Sequence, residues 1–240
     1  MSVYSNLAAK KRLWSPTMGD KQPVMPGSEG TIGRCLALRV LEIPVGNWVL
    51  DTEAQELNKL HPDAIALLQS NAEDEIKHDR LLEMAAVTYQ LTTPTDQEEA
   101  YAIASEWLVH PDHPIVKAYV LENAIFFVIL PILRRFGGQG LRNAAFDISS
   151  DESIHAPCNR LVAQELGYSF SQSLDALRDR TVRFLVRDLN APGKLGLPQV
   201  WIDASENLLH KGFAPQLEET KTYIMPAFFE SHAADLPQYS

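Results

Sequence analysis

The pattern Asp-Glu-x-x-His occurs twice in this chain, at residues 74–78 and 151–155. Residues three apart lie on one face of an α-helix, so each glutamate projects in the same direction as its histidine. A chain that carries this pattern twice must place two polar helix faces somewhere in its fold. The residues around the two copies decide whether those faces are solvated or buried.

Helix-breaking residues divide most of the chain into segments of helical length, roughly 20 to 30 residues each. Within the segments apolar residues recur three and four positions apart, and alternating strand patterns with hairpin turns are missing. These features predict an all-α fold. The predicted long helices span residues 31–60, 62–90, 114–136 and 141–167, and shorter ones span residues 96–109, 171–189 and 199–230.

The N-terminal residues differ from the rest in composition. Residues 1–30 are rich in Pro, Gly and Ser without helical periodicity, which predicts an extended N-terminal arm. Residues 31–240 are predicted to form a single bundle domain, in which additional C-terminal helices follow the four long ones. A chain of 240 residues is long enough to bury one sizeable core.

Charge and cysteine content exclude several classes of protein. The chain has 21 basic and 31 acidic residues, a net charge of −10, so it lacks the cationic surface expected of a nucleic-acid or membrane-surface binder. Its two cysteines, Cys35 and Cys158, are too few for a disulfide framework and fit a reducing compartment. No export signal is visible, and the apolar run at residues 124–133 is shorter than the roughly 20 residues that span a bilayer. We therefore expect a cytoplasmic protein with no nucleic-acid or membrane partner.

Two more glutamates lie in apolar stretches, Glu42 in LRVLEIPV and Glu122 in YVLENAIFF. Neither helix face can be well solvated. Burial of one unpaired carboxylate destabilises a fold by roughly several kcal/mol. Four carboxylates at core positions therefore require positive charge beside them. The nearest basic residues in sequence, Arg39 and Lys77, cannot neutralise four carboxylates.

The spacing of the glutamates predicts that they meet. Thirty-three residues separate Glu42 from Glu75, and 30 separate Glu122 from Glu152, which is one antiparallel helix hairpin in each case. Both members of each pair would then lie at the same height in a bundle. Two divalent metal ions balance the charge of four carboxylates, so a dinuclear site with two imidazoles would be nearly neutral in a core of low dielectric constant.

In this order of ligand-type residues, the chain resembles the ferritin-like di-iron carboxylate superfamily over about residues 31–167. That superfamily uses a Glu from each of two helices and Glu-x-x-His from each of two others. The resemblance implies a ferritin-like four-helix bundle whose metal-binding core, residues 31–167, holds two iron ions, or iron with manganese. The implied metal ligands are Glu42, Glu75, His78, Glu122, Glu152 and His155.

The resemblance also implies individual roles. Glu42 and Glu122 would be terminal ligands, Glu75 and Glu152 would bridge the metals, and each histidine would bind one metal. Asp74 and Asp151 would accept hydrogen bonds from the far imidazole N–H groups, which fixes the tautomer and direction of a metal-bound histidine. Tyr119, one turn before Glu122, is the candidate catalytic residue.

Within the superfamily, the chain is similar to two groups, each in a different feature. The stretch ISSDESIH is most similar to the ribonucleotide reductase small subunit, but Leu82 stands where that subunit carries its radical tyrosine. The length of the chain is closer to that of small di-iron oxygenases such as aldehyde-deformylating oxygenases and small hydroxylases. This likeness implies an O2-dependent oxidoreductase, a monooxygenase or oxidase, with a small organic substrate, a reductase or ferredoxin as electron donor, and a homodimeric state.

Two alternatives stay open. A short ribonucleotide reductase small subunit would use Tyr239 near the tail as a relay to a larger subunit, and a ferritin-type protein would oxidise iron and store it as mineral. Pro44 and Pro157, each two residues after an implied ligand, predict helix kinks that either open a substrate pocket or merely bend the helices around the core.

Overall fold

The computed structural model of this protein describes residues 2–19 and 21–213, and the side chains as far as residue 210. Several of its helices begin with a proline that follows a capping side chain. The side chains of His61, Thr93 and His113 each accept a hydrogen bond from a backbone N–H of the helix that follows, which begins with proline. The α-helices are α1 (Val3–Ala8), α2 (Glu29–Ala37), α3 (Glu42–Glu56), α4 (Pro62–Tyr89), α5 (Pro94–Val109), α6 (Pro114–Leu121), α7 (Phe127–Phe136), α8 (Gln139–Leu166), α9 (Gln172–Val186) and α10 (Pro198–Phe213). The prediction of an all-α bundle is confirmed.

The centre of the fold is a ring of helices around one apolar core. Helix α3 packs against α4 and α6, and α8 packs against α4, α6 and α7, so the four predicted long segments enclose a common interior. Helices α9 and α10, which pack against each other, are the predicted additional C-terminal helices. The predicted helix at 199–230 agrees with α10 as far as residue 213, and the remainder, like Tyr239, lies outside the described residues.

Two of the four long segments are interrupted beside an implied metal ligand. A 3-10 turn, Leu38–Leu41, joins α2 to α3, and Pro44 lies in the first turn of α3. Proline lacks an N–H and its ring clashes with the carbonyl four residues back, so a regular helix cannot run through this point. A π-helical turn, Glu122–Phe126, joins α6 to α7 and begins at the implied ligand Glu122. Such turns are rare and are frequent at functional sites.

The segment Pro114–Phe136, which comprises α6, the π-helical turn and α7, is the most apolar in the described chain. It is long and apolar enough to cross a membrane, with a mean hydropathy of 1.9, but 89% of this window is buried inside the protein. Burial of that extent is expected of the central helix of a bundle. The prediction of a buried core helix at residues 124–133 agrees with this placement.

The N-terminal arm contains a helix that the sequence does not predict. An extended conformation was expected over residues 1–30, and this expectation is wrong for Val3–Ala8, which form α1. The Ser2 side chain caps this helix by accepting a hydrogen bond from the Ser5 N–H, and Tyr4 is only 1% exposed against the core. Six residues are too few to show helical periodicity, so docking of Tyr4 determines the conformation. The described residues from Lys11 to Met25 contain neither helix nor strand.

Candidate metal centre

Glu75 and His78 on α4 face Glu152 and His155 on α8 across the interface of these two helices. One ligand atom from each residue lies within 4.8 Å of the other three, and all four side chains are buried. His78 Nδ1 is 3.2 Å from Glu75 Oε2 and 3.3 Å from Glu152 Oε1. His155 Nδ1 is 2.9 Å from Glu75 Oε1 and 3.8 Å from Glu152 Oε2. This buried group of two glutamates and two histidines can hold a metal ion.

The other two implied ligands lie beside this group. Glu42 Oε2 is 3.8 Å from His78 Nδ1, and the carboxylate is buried at the start of α3. Gly46, one turn later, allows α3 to approach α4 closely, because a Cβ at this position would lie 3.4 Å from Glu75 Cβ. Glu122 is completely buried, and its Oε2 accepts a hydrogen bond of 2.7 Å from Asn159 Nδ2 of α8. All six implied ligands therefore belong to one buried region.

The hydrogen bonding of these side chains is incomplete. Six of their buried atoms have no hydrogen-bond partner: Glu42 Oε2, Glu75 Oε1, Glu122 Oε1, Glu152 Oε1, Glu152 Oε2 and His155 Nδ1. Even His155 Nδ1 and Glu75 Oε1, although only 2.9 Å apart, form no hydrogen bond with each other. Each buried polar atom left unpaired costs about 1–3 kcal/mol, more for a charged group. Oxygen and nitrogen atoms that converge without partners fit a site for divalent metal ions.

The charges of the site point to the same conclusion. Burial raises the pKa of Glu42, of Glu122 and of Glu152, and neighbouring carboxylates raise each of them further. Burial lowers the pKa of His155, but the Asp74 and Glu75 carboxylates outweigh this and raise it to about 10. The metal-free site therefore retains protons on groups that would lose them in water. Metal ions release such protons when they bind, because the ligands must be deprotonated.

Each aspartate of the repeated pattern contacts the histidine on the other helix, not the one in its own copy of the pattern. His78 Nε2 lies 3.2 Å from Asp151 Oδ2, and His155 Nε2 lies 3.2 Å from Asp74 Oδ2. Each carboxylate is placed to accept the Nε2–H of the histidine on the opposite helix, which directs the Nδ1 lone pair into the cluster. The sequence predicts that Asp74 and Asp151 accept such hydrogen bonds, but not that they do so across the helix interface.

The N-terminal arm covers one side of the site. Trp14 Nε1 donates a hydrogen bond of 2.8 Å to Asp151 Oδ2, and the Trp14 ring stacks on the His78 ring with 6.0 Å between centroids. Lys11 Nζ lies 2.5 Å from Asp74 Oδ2, and Lys77 Nζ also contacts Asp74. Both aspartates are thus held by donors outside the repeated pattern. Burial alone would raise the pKa of Asp74, but its hydrogen bonds with His155, Lys11 and Lys77 outweigh this and lower the pKa below its usual range.

Three residues that contact the site are absent from the sequence-based predictions: Lys11, Trp14 and Asn159. Asn159 could have been found, because it lies one turn after His155 on the same helix face. Lys11 and Trp14 lie in an arm without periodicity, so no sequence signal indicates their contacts. Of the two basic residues nearest to the ligands in sequence, Lys77 contacts Asp74, whereas Arg39 pairs with Asp79 instead.

A pocket lies between the α6–α7 segment and α8. Its volume is about 160 Å³. The lining residues are Tyr119, Asn123, Phe127, Ser153, Ala156, Pro157 and Arg160. The candidate catalytic residue Tyr119 is buried, accepts a hydrogen bond of 3.1 Å from Asn123 Nδ2, and has its pKa raised to about 12 by burial. Pro157 lines this pocket, whereas Pro44 does not.

The chain matches no protein-family model, and no curated protein is similar to it.

Proposed function

We propose that this protein is a ferritin-like di-iron oxidoreductase that uses O2 to oxidise a small organic substrate. The observation that carries the proposal is the convergence of four buried glutamates and two buried histidines with six unpartnered ligand-type atoms. Four carboxylates and two imidazoles match the charge and donor preference of two divalent iron or manganese ions better than those of a single ion.

The residues that would hold the metal ions are Glu42, Glu75, His78, Glu122, Glu152 and His155. A bound pair of ferrous ions supplies electrons for the reduction of O2, which a protein side chain cannot do alone. The apolar core around the site excludes bulk water and strengthens every electrostatic interaction within it.

The other side chains of the site hold the ligands in position. Asp151 and Asp74 keep a proton on Nε2 of His78 and of His155, so that Nδ1 of each ring is available for a metal. Asn159 donates to one carboxylate oxygen of Glu122 and leaves the other without a hydrogen bond. Preorganised ligands of this kind lose little entropy on metal binding.

The pocket supports an organic substrate. Asn123, Ser153 and Ala156 in its wall directly follow the ligands Glu122, Glu152 and His155 in the chain. A molecule bound there would contact the α6–α7 segment and α8, the two segments that carry Glu122, Glu152 and His155. A reductase or ferredoxin in the cytoplasm would return the electrons that each turnover consumes.

The experiment is anaerobic loading with ferrous iron, followed by elemental analysis and exposure to O2. We expect close to two iron ions per chain, and O2 uptake that does not continue as excess ferrous iron is added. Glu75→Ala should lose most of the iron, whereas Glu73→Ala, an exposed glutamate on the same helix, should keep it.

Two results would contradict the proposal. Much less than one metal ion per chain after loading would mean that the six residues do not form a metal site. Uptake of many iron ions per chain with growth of a ferric mineral would instead identify an iron-storage protein of the ferritin type.

A further inference from the structure

Among the described residues that line the pocket between the α6–α7 segment and α8, Arg160 has the one charged side chain. The other lining residues are neutral: Tyr119, Asn123, Phe127, Ser153, Ala156 and Pro157. Tyr119 stays neutral at physiological pH because burial raises its pKa to about 12, and the Arg160 charge acts on its hydroxyl group in the opposite direction. The Arg160 guanidinium is therefore close to the Tyr119 hydroxyl, and the pocket has a net positive charge.

Arg160 has no counter-ion among the residues that the structure describes. Arg34 and Arg39, in contrast, are paired with carboxylates: Arg34 with Asp188 at 3.0 Å and Arg39 with Asp79 at 2.6 Å. Arg160 forms no ion pair with any carboxylate in the described part of the chain, and its Nε–H is buried without a hydrogen-bond partner. An unpaired guanidinium in a pocket presents a fork of donors that fits a carboxylate.

The other described residues that line the pocket are uncharged, and three of them form an apolar wall beside Arg160. Phe127, Ala156 and Pro157 line the pocket with carbon atoms. The Asn123 side-chain amide donates to the Tyr119 hydroxyl and to the Leu208 carbonyl, so its N–H groups are already used. The Ser153 hydroxyl donates to the Ser150 carbonyl. Arg160 is thus the donor in the pocket that remains available to a ligand.

The size of the pocket limits its occupant. Its volume is about 160 Å³, below the roughly 300–1,000 Å³ of sites for drug-sized ligands. An apolar cavity of roughly 150 Å³ holds one benzene molecule. The pocket therefore fits a molecule of about one ring or a short chain, with one end against Phe127 and Pro157 and the other against Arg160.

We propose that this pocket binds a small organic carboxylate whose anionic group pairs with Arg160 and whose apolar part contacts Phe127, Ala156 and Pro157. The identification of this carboxylate as the substrate to be oxidised depends on the proposed function, whereas its binding does not. Arg160 then acts as the residue that selects an anionic substrate and directs its apolar end along the pocket.

The test is titration calorimetry of the iron-loaded, air-free protein with benzoate and with its neutral analogue benzamide. We expect benzoate to bind at least tenfold more tightly than benzamide, because only benzoate forms charge-assisted hydrogen bonds with Arg160. Arg160→Gln should weaken benzoate binding about tenfold or more and change benzamide binding less than twofold. Arg160→Lys keeps the charge without the planar fork, and should restore part of the affinity.

The matched control is Arg135→Gln. Arg135 is also half-buried with an unpartnered Nε, but it does not line the pocket, so benzoate binding should not change. Equal affinity for benzoate and benzamide, equal effects of the Arg160 and Arg135 substitutions, or no binding of benzoate would each overturn the proposal.

The same titration on metal-free protein, with iron counted separately, keeps this proposal distinct from the proposed function. Arg160-dependent benzoate binding by a chain that takes up no iron would leave the anion pocket intact and remove the di-iron oxidoreductase. Normal iron loading without Arg160-dependent benzoate binding would remove the anion pocket and leave the di-iron oxidoreductase. Circular dichroism of each variant verifies that the helices are retained.

Discussion

Asp151 and His78 lie on different helices and in different copies of the repeated pattern, yet Asp151 Oδ2 and His78 Nε2 are 3.2 Å apart. The reciprocal pair, Asp74 Oδ2 and His155 Nε2, is separated by the same distance. Each copy of the pattern therefore contributes a glutamate and a histidine to the buried group and one hydrogen-bond acceptor to the other copy. The two helices cannot hold their ligands independently.

Replacing one of these acceptors should weaken metal binding without removing a ligand. Asp151→Asn keeps the shape of the side chain but offers a weaker, uncharged acceptor to His78. We expect metal affinity to fall about 10- to 100-fold, the usual cost of losing a carboxylate that orients a metal-bound histidine. Competition with a chelator of known affinity measures the change. Asp79→Asn, on α4 but paired with Arg39, is the control, and an equal loss in both variants would refute this role of Asp151.

The N-terminal arm should slow the release of metal. Trp14→Phe removes the indole N–H that donates to Asp151 and keeps most of the stacking on His78. We expect a chelator to extract metal several-fold faster from this variant, because the acceptor of His78 is then held less firmly. Leu13→Ala changes the adjacent residue, which is fully exposed, and should release metal at the original rate. Identical rates in all three proteins would mean that the arm lies over the site without supporting it.

Substitution of a buried glutamate should have opposite effects on the metal-free and metal-bound protein. Glu122→Gln removes a carboxylate whose pKa is raised by burial and by the charges of Glu152 and Glu75, but keeps an oxygen for Asn159. We expect the metal-free variant to be more stable by about 1 kcal/mol or more, because the buried glutamate must take up a proton on folding or keep an unfavourable charge, whereas glutamine is always neutral.

With metal bound, Glu122→Gln should lower the free energy of unfolding instead of raising it. Manganese(II), which is not oxidised by air during an unfolding titration, should raise the free energy of unfolding of the unmodified protein more than that of Glu122→Gln. Urea unfolding with chelator and with manganese measures both quantities. Glu73→Gln, at an exposed position of α4, should change neither. Stabilisation of the same sign in both states would remove Glu122 from the metal site.

Tyr119 is the tyrosine that we expect to be oxidised when the loaded protein meets O2 without an organic substrate. It is buried three residues before Glu122, whereas Tyr89 lies 14 residues after Glu75, roughly 21 Å along the axis of α4. Electron paramagnetic resonance should detect a tyrosyl radical in the unmodified protein and in Tyr89→Phe, but not in Tyr119→Phe. Iron content should be the same in all three. A signal that persists in Tyr119→Phe would assign the radical to another residue.

The convergence of Glu75, His78, Glu152 and His155 in one buried group could be predicted from the sequence, because helical spacing relates residues on one face. The burial of Glu42 and Glu122 could be predicted from their apolar neighbours in sequence. Spacing along one helix does not indicate which helix packs opposite, so the exchange of Asp74 and Asp151 between helices could not be derived. The π-helical turn at Glu122 depends on packing that the local sequence does not specify.

The arm and the pocket were beyond prediction for a related reason. The contacts of Lys11 and Trp14 depend on where an aperiodic segment crosses the bundle, which only the folded structure determines. Arg160 has no distinguishing sequence context, and that it pairs with no carboxylate of the described residues becomes apparent only from the folded structure. Pro157, in contrast, was expected to kink its helix or open a pocket, and it does line one.

The hydrogen bond between Trp14 and Asp151 joins residues 137 positions apart in the chain. At a translation rate of roughly 5–20 residues per second, the ribosome adds Asp151 about 7–27 seconds after Trp14. During that interval the nascent chain carries Glu42, Glu75 and His78 without the opposing helix. The buried group of glutamates and histidines can therefore form only once translation has passed α8, and the N-terminal end of the polypeptide, although made first, contacts Asp151 only after that.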